Sequence, residues 1–136
     1  MESFSSKVKK ELSKLNNLSN KNLVRCELQG YLLTTNSEKF ITENEYNINR
    51  FSKLLSNTGT DDFKIEMQGN KFCITTKNKI VISEDIKDEE EAKAIVRGSF
   101  MGSGSVSNPT SKYHLEIVFQ KEENAEIIKE IIQKYN

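Results

Sequence analysis

The fold is decided by the stretch Ala94-Ile95-Val96-Arg97-Gly98-Ser99-Phe100-Met101-Gly102-Ser103-Gly104, in which glycines stand where an apolar helix ought to continue. Each glycine inside a helix costs about 1 kcal/mol relative to alanine. Gly98 and Gly102 are four residues apart and therefore lie on one face of the helix. A helix with such a face is expected where a second backbone packs close against it.

A weaker copy of this stretch lies 68 residues earlier, between Cys26 and Asn36. At that offset two stripes of small residues superpose, and we expect them to form a helix–helix interface: Cys26, Gly30 and Thr34 on the first helix, and Ala94, Gly98 and Gly102 on the second. Helices with matching small faces approach near the short end of the usual range of about 8–10 Å. The sequence therefore predicts two related halves joined at a helix pair.

Three further segments carry a family resemblance: Ser3 to Leu12, Gly104 to Pro109 and Tyr113 to Ile117. Together with the degenerate LAGLIDADG motif from Val96 to Gly104, they resemble the N-terminal domain of the WhiA family, bacterial transcription regulators of sporulation and cell division. The match is strongest from Arg97 to Ile117 and poor from about Ser37 to Lys87.

The resemblance implies an α+β fold like that of LAGLIDADG homing endonucleases, with two pseudo-symmetric halves and a saddle-shaped sheet surface. We expect a single domain over residues 1–136, with a first half of about 1–85 and a truncated second half of about 86–136. The helix-turn-helix domain of the family is not expected within these residues.

The family resemblance also bears on catalysis. Active LAGLIDADG nucleases place a carboxylate near the end of each motif to hold a divalent metal, and the corresponding residues here are Thr35 and Ser103. A hydroxyl cannot supply the negative charge that holds magnesium. We therefore expect no catalytic residue, metal or cofactor, and a nuclease is the least favoured interpretation.

Composition limits the function further. The 20 basic residues are balanced by 20 acidic ones, whereas dedicated nucleic-acid domains are usually basic. DNA binding by these residues is expected to be weak and independent of sequence. No apolar run reaches the ~18 residues of a membrane span, so a cytoplasmic protein without membrane contact is expected. Cys26 and Cys73 form no C-x-x-C pair and are expected to be free, buried thiols.

The coarse layout places helices at 4–16, along the two motifs, around 48–55 and at the end of the chain, with strands at 40–44, 62–68, 71–75, 79–83 and 113–119. Alternation puts Phe63, Ile65, Met67, Phe72 and Ile74 on the buried face of the hairpin, which turns at Gly69-Asn70. Its outward residues are then Lys64, Glu66, Gln68, Lys71, Cys73 and Thr75. The residues expected to contact nucleic acid are Lys64, Gln68, Lys71, Lys77, Lys79 and Lys112.

The second half repeats the first with an offset of 77 in its last helix. There Ala125, Ile128, Ile131 and Ile132 correspond to Ile48, Phe51, Leu54 and Leu55, and the preceding strand directs Leu115, Ile117 and Phe119 inward. No hairpin follows the last helix within residues 1–136, so the second sheet is expected to be short, with an uncovered edge.

Several alternatives stay open at this stage. The leading function is a non-catalytic, DNA-associated regulatory domain. The rival is a protein-interaction or dimerisation module that binds a partner or a second copy through an exposed sheet edge. Arg97 is interpreted as a structural ion-pair residue before a DNA contact, and His114 as an exposed strand residue before a general base.

Overall fold

The computed structural model of the chain describes residues 3–35, 39–59, 63–76, 86–107 and 114–135. The helices in these ranges are α1 (Phe4–Leu12), α2 (Lys21–Thr34), α3 (Glu45–Asn57), α4 (Glu89–Ser103) and α5 (Glu122–Tyr135). The strands are β1 (Lys39–Thr42), β2 (Phe63–Gln68), β3 (Lys71–Thr76), β4 (Gly104–Val106) and β5 (Leu115–Ile117). The mixture of helices and strands confirms the predicted α+β class. The predicted strand at 79–83 lies outside the described residues.

Two antiparallel sheets form from these strands. The first has the order β1-β3-β2, and the second pairs β4 with β5. β2 and β3 are joined at Gly69-Asn70, where Gly69 has a φ of 66°. That conformation is strained for residues with a side chain, which explains glycine at this turn.

The helices of the two halves repeat closely. A shift of 68 residues moves α2 onto 89–102, which nearly coincides with α4, and a shift of 77 moves α3 onto 122–134, which nearly coincides with α5. The N-caps repeat as well, because the side chain of Asn20 accepts a hydrogen bond from the amide of Leu23 and that of Asp88 accepts one from the amide of Glu91. Three glutamates occupy the first turn of α4, where the helix dipole favours negative charge.

The larger core lies between the first sheet, α2 and α3. Tyr31, Phe40 and Phe51 pack against one another with ring centroids 4.8–5.2 Å apart. The other buried members of this cluster are Val24, Leu28, Leu32, Ile48, Leu54, Leu55, Ile74 and Met101. A smaller cluster in the second half consists of Cys26, Leu33, Ala94, Ile95 and Ile128. Cys26 and Cys73 are both free and buried, as predicted.

Strand alternation predicted the faces of the first sheet correctly but not the burial of its residues. Ile65 and Met67 share a face with the core residues Ile74 and Phe72, yet they are 48% and 57% exposed. The reason is that the buried cluster lies under β1 and β3, with Phe40 and Ile74, and from β2 only Phe63 packs against it. Cys73 is on the opposite face and is nevertheless buried, because it lies on the central strand between Ile41 and Glu66.

Two expectations in the second half and one at the N-terminus are also wrong in detail. Leu115 and Ile132 are exposed rather than inward, because both line an apolar groove that is open to solvent. α1 ends at Leu12, four residues earlier than predicted. Within the described ranges, no helix combines the length and the apolar character that a membrane crossing requires.

Candidate nucleic-acid interface

The two motif helices α2 and α4 pack backbone to backbone. A Cβ atom on Gly98 would overlap the carbonyl oxygen of Glu27 and lie 3.1 Å from the Cα atom of Gly30. A Cβ atom on Gly30 would lie 2.7 Å from the amide nitrogen of Ser99. The hydroxyl of Ser99 also donates to the carbonyl oxygen of Gly30, at 3.2 Å. Only glycine fits at positions 30 and 98 in this arrangement.

The other small residues of the predicted helix interface lie along the same contact. A Cβ atom on Gly102 would overlap the hydroxyl of Thr34, which donates to the carbonyl oxygen of Tyr31. Cys26 and Ala94 belong to one buried cluster. The Cys26 thiol lies 3.8 Å from a carboxylate oxygen of Glu91. Burial, reinforced by this carboxylate, raises the pKa of Cys26 to about 11.

A buried carboxylate ties the helix pair to α3. Glu27 is 1% exposed, and its oxygens accept hydrogen bonds from the Nε atoms of Arg50 and Arg97, both at 2.7 Å. The structural interpretation of Arg97 is thereby confirmed. Arg50 is almost as buried as Glu27 and also donates to the carbonyl oxygen of Leu15.

Sequence reasoning missed the Glu27–Arg50 pair. The available signal was a glutamate within the apolar run of α2, since an unpaired charge is not tolerated in a core. Its basic partner, in another helix, was not identifiable from spacing alone.

Thr35 and Ser103, which the family resemblance implies stand in place of the metal-binding carboxylates of active nucleases, lie at the ends of α2 and α4. Thr35 is the residue after α2, and its hydroxyl oxygen is buried without a hydrogen-bond partner. Ser103 ends α4 and donates to the carbonyl oxygen of Val118. In the described part of the chain, no three His, Cys, Asp or Glu side chains come together in a group that could hold a metal ion.

The outer face of the first sheet, hereafter the first face, carries three of the six residues predicted to contact nucleic acid. Cross-strand partners lie on the same face, so the register gives three rows: Lys39–Thr75–Lys64, Ile41–Cys73–Glu66 and Lys71–Gln68. Lys64, Gln68 and Lys71 are exposed on this face. The rows add Lys39, which sequence reasoning missed because the pairing of β1 with β3 was not predicted. Lys77, Lys79 and Lys112 lie outside the described residues.

The charge on the first face is unbalanced. Three lysines, Lys39, Lys64 and Lys71, stand against one acidic residue, Glu66. Adjacent strands are about 4.8 Å apart, so Lys39 and Lys64, on the two outer strands, are roughly 10 Å apart at their backbones. The face is therefore mixed in sign with a positive excess, which suits a polyanion more than a neutral surface would.

The outer face of the second sheet, hereafter the second face, has no such excess. Ser105 pairs with Glu116, and His114 Nε2 lies 3.1 Å from Glu116 Oε1. Among the described residues of β4 and β5 there is no lysine or arginine. His114 is exposed, as predicted.

Comparison with known proteins agrees with this geometry. Residues 92–136 match the family model of the WhiA LAGLIDADG-like domain. A probable cell division protein WhiA of Clostridium acetobutylicum is 46% identical over 50 residues, and one of Clostridium perfringens strain 13 is 46% identical over 55. These matches cover 37% and 40% of this chain but only 16% and 17% of the relatives.

Solved structures extend the likeness over the whole chain. The N-terminal LAGLIDADG domain of DUF199/WhiA superposes with a TM-score of 0.78 at 21% identity, covering 99% of this chain and 75% of that one. Full-length DUF199/WhiA from Thermatoga maritima gives 0.75 at 22% identity, covering 98% of this chain and 51% of that one. The resemblance to WhiA and the LAGLIDADG-like fold are thereby confirmed. The match to the family model falls in the second half.

Proposed function

We propose that the chain is a non-catalytic, DNA-associated regulatory domain that acts in cell division, as the names of its relatives suggest. The observation that carries this proposal is the first face, with three lysines against one glutamate on a LAGLIDADG-like fold. In the saddle geometry implied by the family resemblance, this face meets the duplex. Transcription regulation and sporulation follow from the same family resemblance and belong to the proposal.

The expected binding is electrostatic. Lysines on a strand face reach phosphate oxygens rather than base edges, so they position a duplex without reading its sequence. A few such contacts give dissociation constants of order 10⁻⁴ to 10⁻⁶ M that weaken steeply with salt. Because the whole chain carries no net charge, no broad field adds to these contacts.

The test is a fluorescence anisotropy titration of a labelled duplex at low salt and at about 0.2 M salt. We expect binding at low salt that is lost at the higher concentration and in the double variant Lys64→Glu, Lys71→Glu. The matched control is Lys53→Glu, Lys129→Glu, which makes the same change in charge at exposed positions on α3 and α5. Binding that survives the first double variant, or that the control abolishes equally, would place the contact elsewhere.

Loss of nuclease activity is part of the proposal. Thr35 and Ser103 stand where a divalent metal would require carboxylates, and neither hydroxyl carries the charge needed. We expect no nicking of supercoiled DNA by the purified chain with magnesium. Nicking that disappears in Ser103→Ala would refute this part.

A protein-interaction module is the second candidate function. It is favoured by an open apolar groove in the second half, lined by Val96, Phe100, Val106, Leu115, Ile131 and Ile132, and by β5, which in the described residues pairs only with β4. It does not require DNA binding.

A further inference from the structure

β2 lies at the edge of the first sheet, and almost all of it is open to solvent. In the described residues it pairs only with β3. Every residue from Lys64 to Gln68 is exposed, and the large apolar side chains of Ile65 and Met67 are among them. An exposed edge strand that carries apolar side chains is a template for pairing with another strand.

The inner face of the sheet leaves room beside β2. α3 packs over β1 and β3. The buried cluster contains Phe40 of β1 and Ile74 of β3, and from β2 only Phe63 packs against it. A second strand therefore fits beside β2 without displacing α3, and its apolar side chains would cover Ile65 and Met67.

The backbone of β2 also supplies the groups that a second strand needs. In an antiparallel ladder, alternate residues exchange hydrogen bonds with the neighbouring strand, and the residues between them direct their N–H and C=O groups the other way. Because β2 is paired along one side only in the described residues, every second residue presents both groups to the open edge.

The charges along β2 are complementary to themselves. When two copies pair antiparallel about a twofold axis at Ile65, each Lys64 lies opposite Glu66 of the second copy. An axis one residue earlier would place Lys64 opposite Lys64, and an axis one residue later would place Glu66 opposite Glu66. Opposite charges in these positions stabilise a strand pair, whereas like charges destabilise it. The charges therefore select the register centred on Ile65, and they favour a second copy over an unrelated strand.

We propose that the chain forms a homodimer in which β2 pairs with β2 of a second copy. The two first sheets then join into one continuous sheet of the order β1-β3-β2-β2-β3-β1. On the inner face, Ile65 packs against its equivalent and Met67 packs against Phe63 of the second copy. On the first face, Lys64 pairs with Glu66 of the second copy. The dimer is a specific form of the second candidate function and does not depend on DNA binding.

Disulfide trapping tests the register. In a Cys73→Ser background, Ile65→Cys places the two new thiols directly opposite each other, with Cα atoms about 4.5–5.5 Å apart, which a disulfide can span. Met67→Cys is the matched control, because Met67 is exposed on the same face of the same strand but would lie about 14 Å from its equivalent. On a non-reducing gel after mild oxidation, we expect a covalent dimer from the first variant and little from the second.

Sedimentation equilibrium without DNA measures the dimer itself. Lys64→Glu and Glu66→Lys each place like charges opposite each other twice per dimer, and we expect each to weaken dimerisation at least about tenfold. An equimolar mixture of the two variants restores opposite charges at both places, so it should dimerise at least as well as the wild type. Lys129→Glu and Glu130→Lys make the same charge changes at exposed positions of α5 and should each dimerise like the wild type.

The outcomes separate the dimer from the proposed DNA contact. The dimer is overturned if the wild type stays monomeric, if both cysteine variants cross-link equally, or if the mixture of charge variants does not recover dimerisation. Growth beyond a dimer would also contradict it, because twofold pairing closes after two copies. A chain that binds the labelled duplex as a monomer would refute the dimer alone and leave the DNA contact standing.

Discussion

The two halves of the molecule share their helices and differ in their sheets. The bounds of α2 and α3 repeat in α4 and α5, and α2 and α4 also share a side-chain N-cap, Asn20 in the first and Asp88 in the second. The first half adds three strands that close a large core, whereas the described second half has two strands of three residues beside an open groove. At the crossing of α2 and α4, contact between the two helix backbones allows only glycine at positions 30 and 98.

The halves differ in charge as well. The first face has a positive excess, whereas the second face carries Glu116 and no lysine or arginine among its described strand residues. The proposed DNA contact therefore belongs to the first half, and the open apolar groove belongs to the second. Variants at the contact between α2 and α4, hereafter the joint, and at matched positions of the two halves test this difference.

The largest loss of folding stability is expected at the joint, where Glu27 is buried. Glu27→Gln removes the buried charge that pairs with Arg50 and Arg97, and it leaves the guanidinium of Arg50 buried without a counter-charge. Breaking a buried ion pair costs about 3–5 kcal/mol. We expect urea denaturation to show a loss of this size. Glu89→Gln is the control, because its contact with Lys93 is exposed and should be worth at most about 1 kcal/mol; equal losses would contradict the structural role of Glu27.

The next largest loss of stability is expected when a residue of the first-half core is truncated, and its matched residue in the second half gives the comparison. Leu55 and Ile132 correspond under the shift of 77, but Leu55 is fully buried and Ile132 faces the groove. Truncation of a buried leucine to alanine costs about 2–5 kcal/mol. We expect that loss for Leu55→Ala and less than about 1 kcal/mol for Ile132→Ala, because a side chain that is already partly hydrated loses less on truncation. Similar losses at both positions would mean that the second core is closed.

A smaller loss is expected at the helix crossing. Gly98→Ala places a Cβ atom against the backbone of Glu27, which cannot move without separating α2 from α4. Overpacking typically costs about 1–3 kcal/mol. Gly102→Ala meets the side chain of Thr34 instead, which can rotate, so its melting temperature should fall less. An unchanged melting temperature for Gly98→Ala would rule out the close crossing.

Much of the helical framework was predictable from the sequence, because it depends on the spacing of residues within each helix. The spacing of Gly30, Gly98 and the apolar residues around them specifies which helix faces meet, because the period of a helix fixes the direction of each side chain. Alternation likewise gave the faces of β2 and β3. It did not give the exposure of Ile65 and Met67, since burial depends on what covers a strand from elsewhere in the chain.

The candidate site was predictable in part for the same reason. Lys64, Gln68 and Lys71 follow from alternation within one hairpin, whereas Lys39 joins them only through the pairing of β1 with β3. The Glu27–Arg50 pair also links residues of different helices. The open groove was not predictable from spacing, because the helix residues that line it follow the same pattern as those of the closed core.

The smallest effect on stability is expected from the thiol of Cys26, which lies at the joint. Burial, and then the carboxylate of Glu91, raises the pKa of Cys26 to about 11, above the value of about 8.5 for an unfolded chain. Because the folded state holds the thiol proton more tightly, the stability linked to this proton is fully present below pH 8.5 and is lost as the pH rises towards 11.

In a Cys73→Ser background, we expect native Cys26 to react with iodoacetamide at pH 8 far more slowly than the same residue in urea, since the thiolate is the reactive form. Glu91→Gln should speed the native reaction while leaving the rate in urea unchanged, as followed by mass spectrometry. A native rate equal to the rate in urea would show that the small stripe of α2 is open to solvent. The two halves would then not be joined as described.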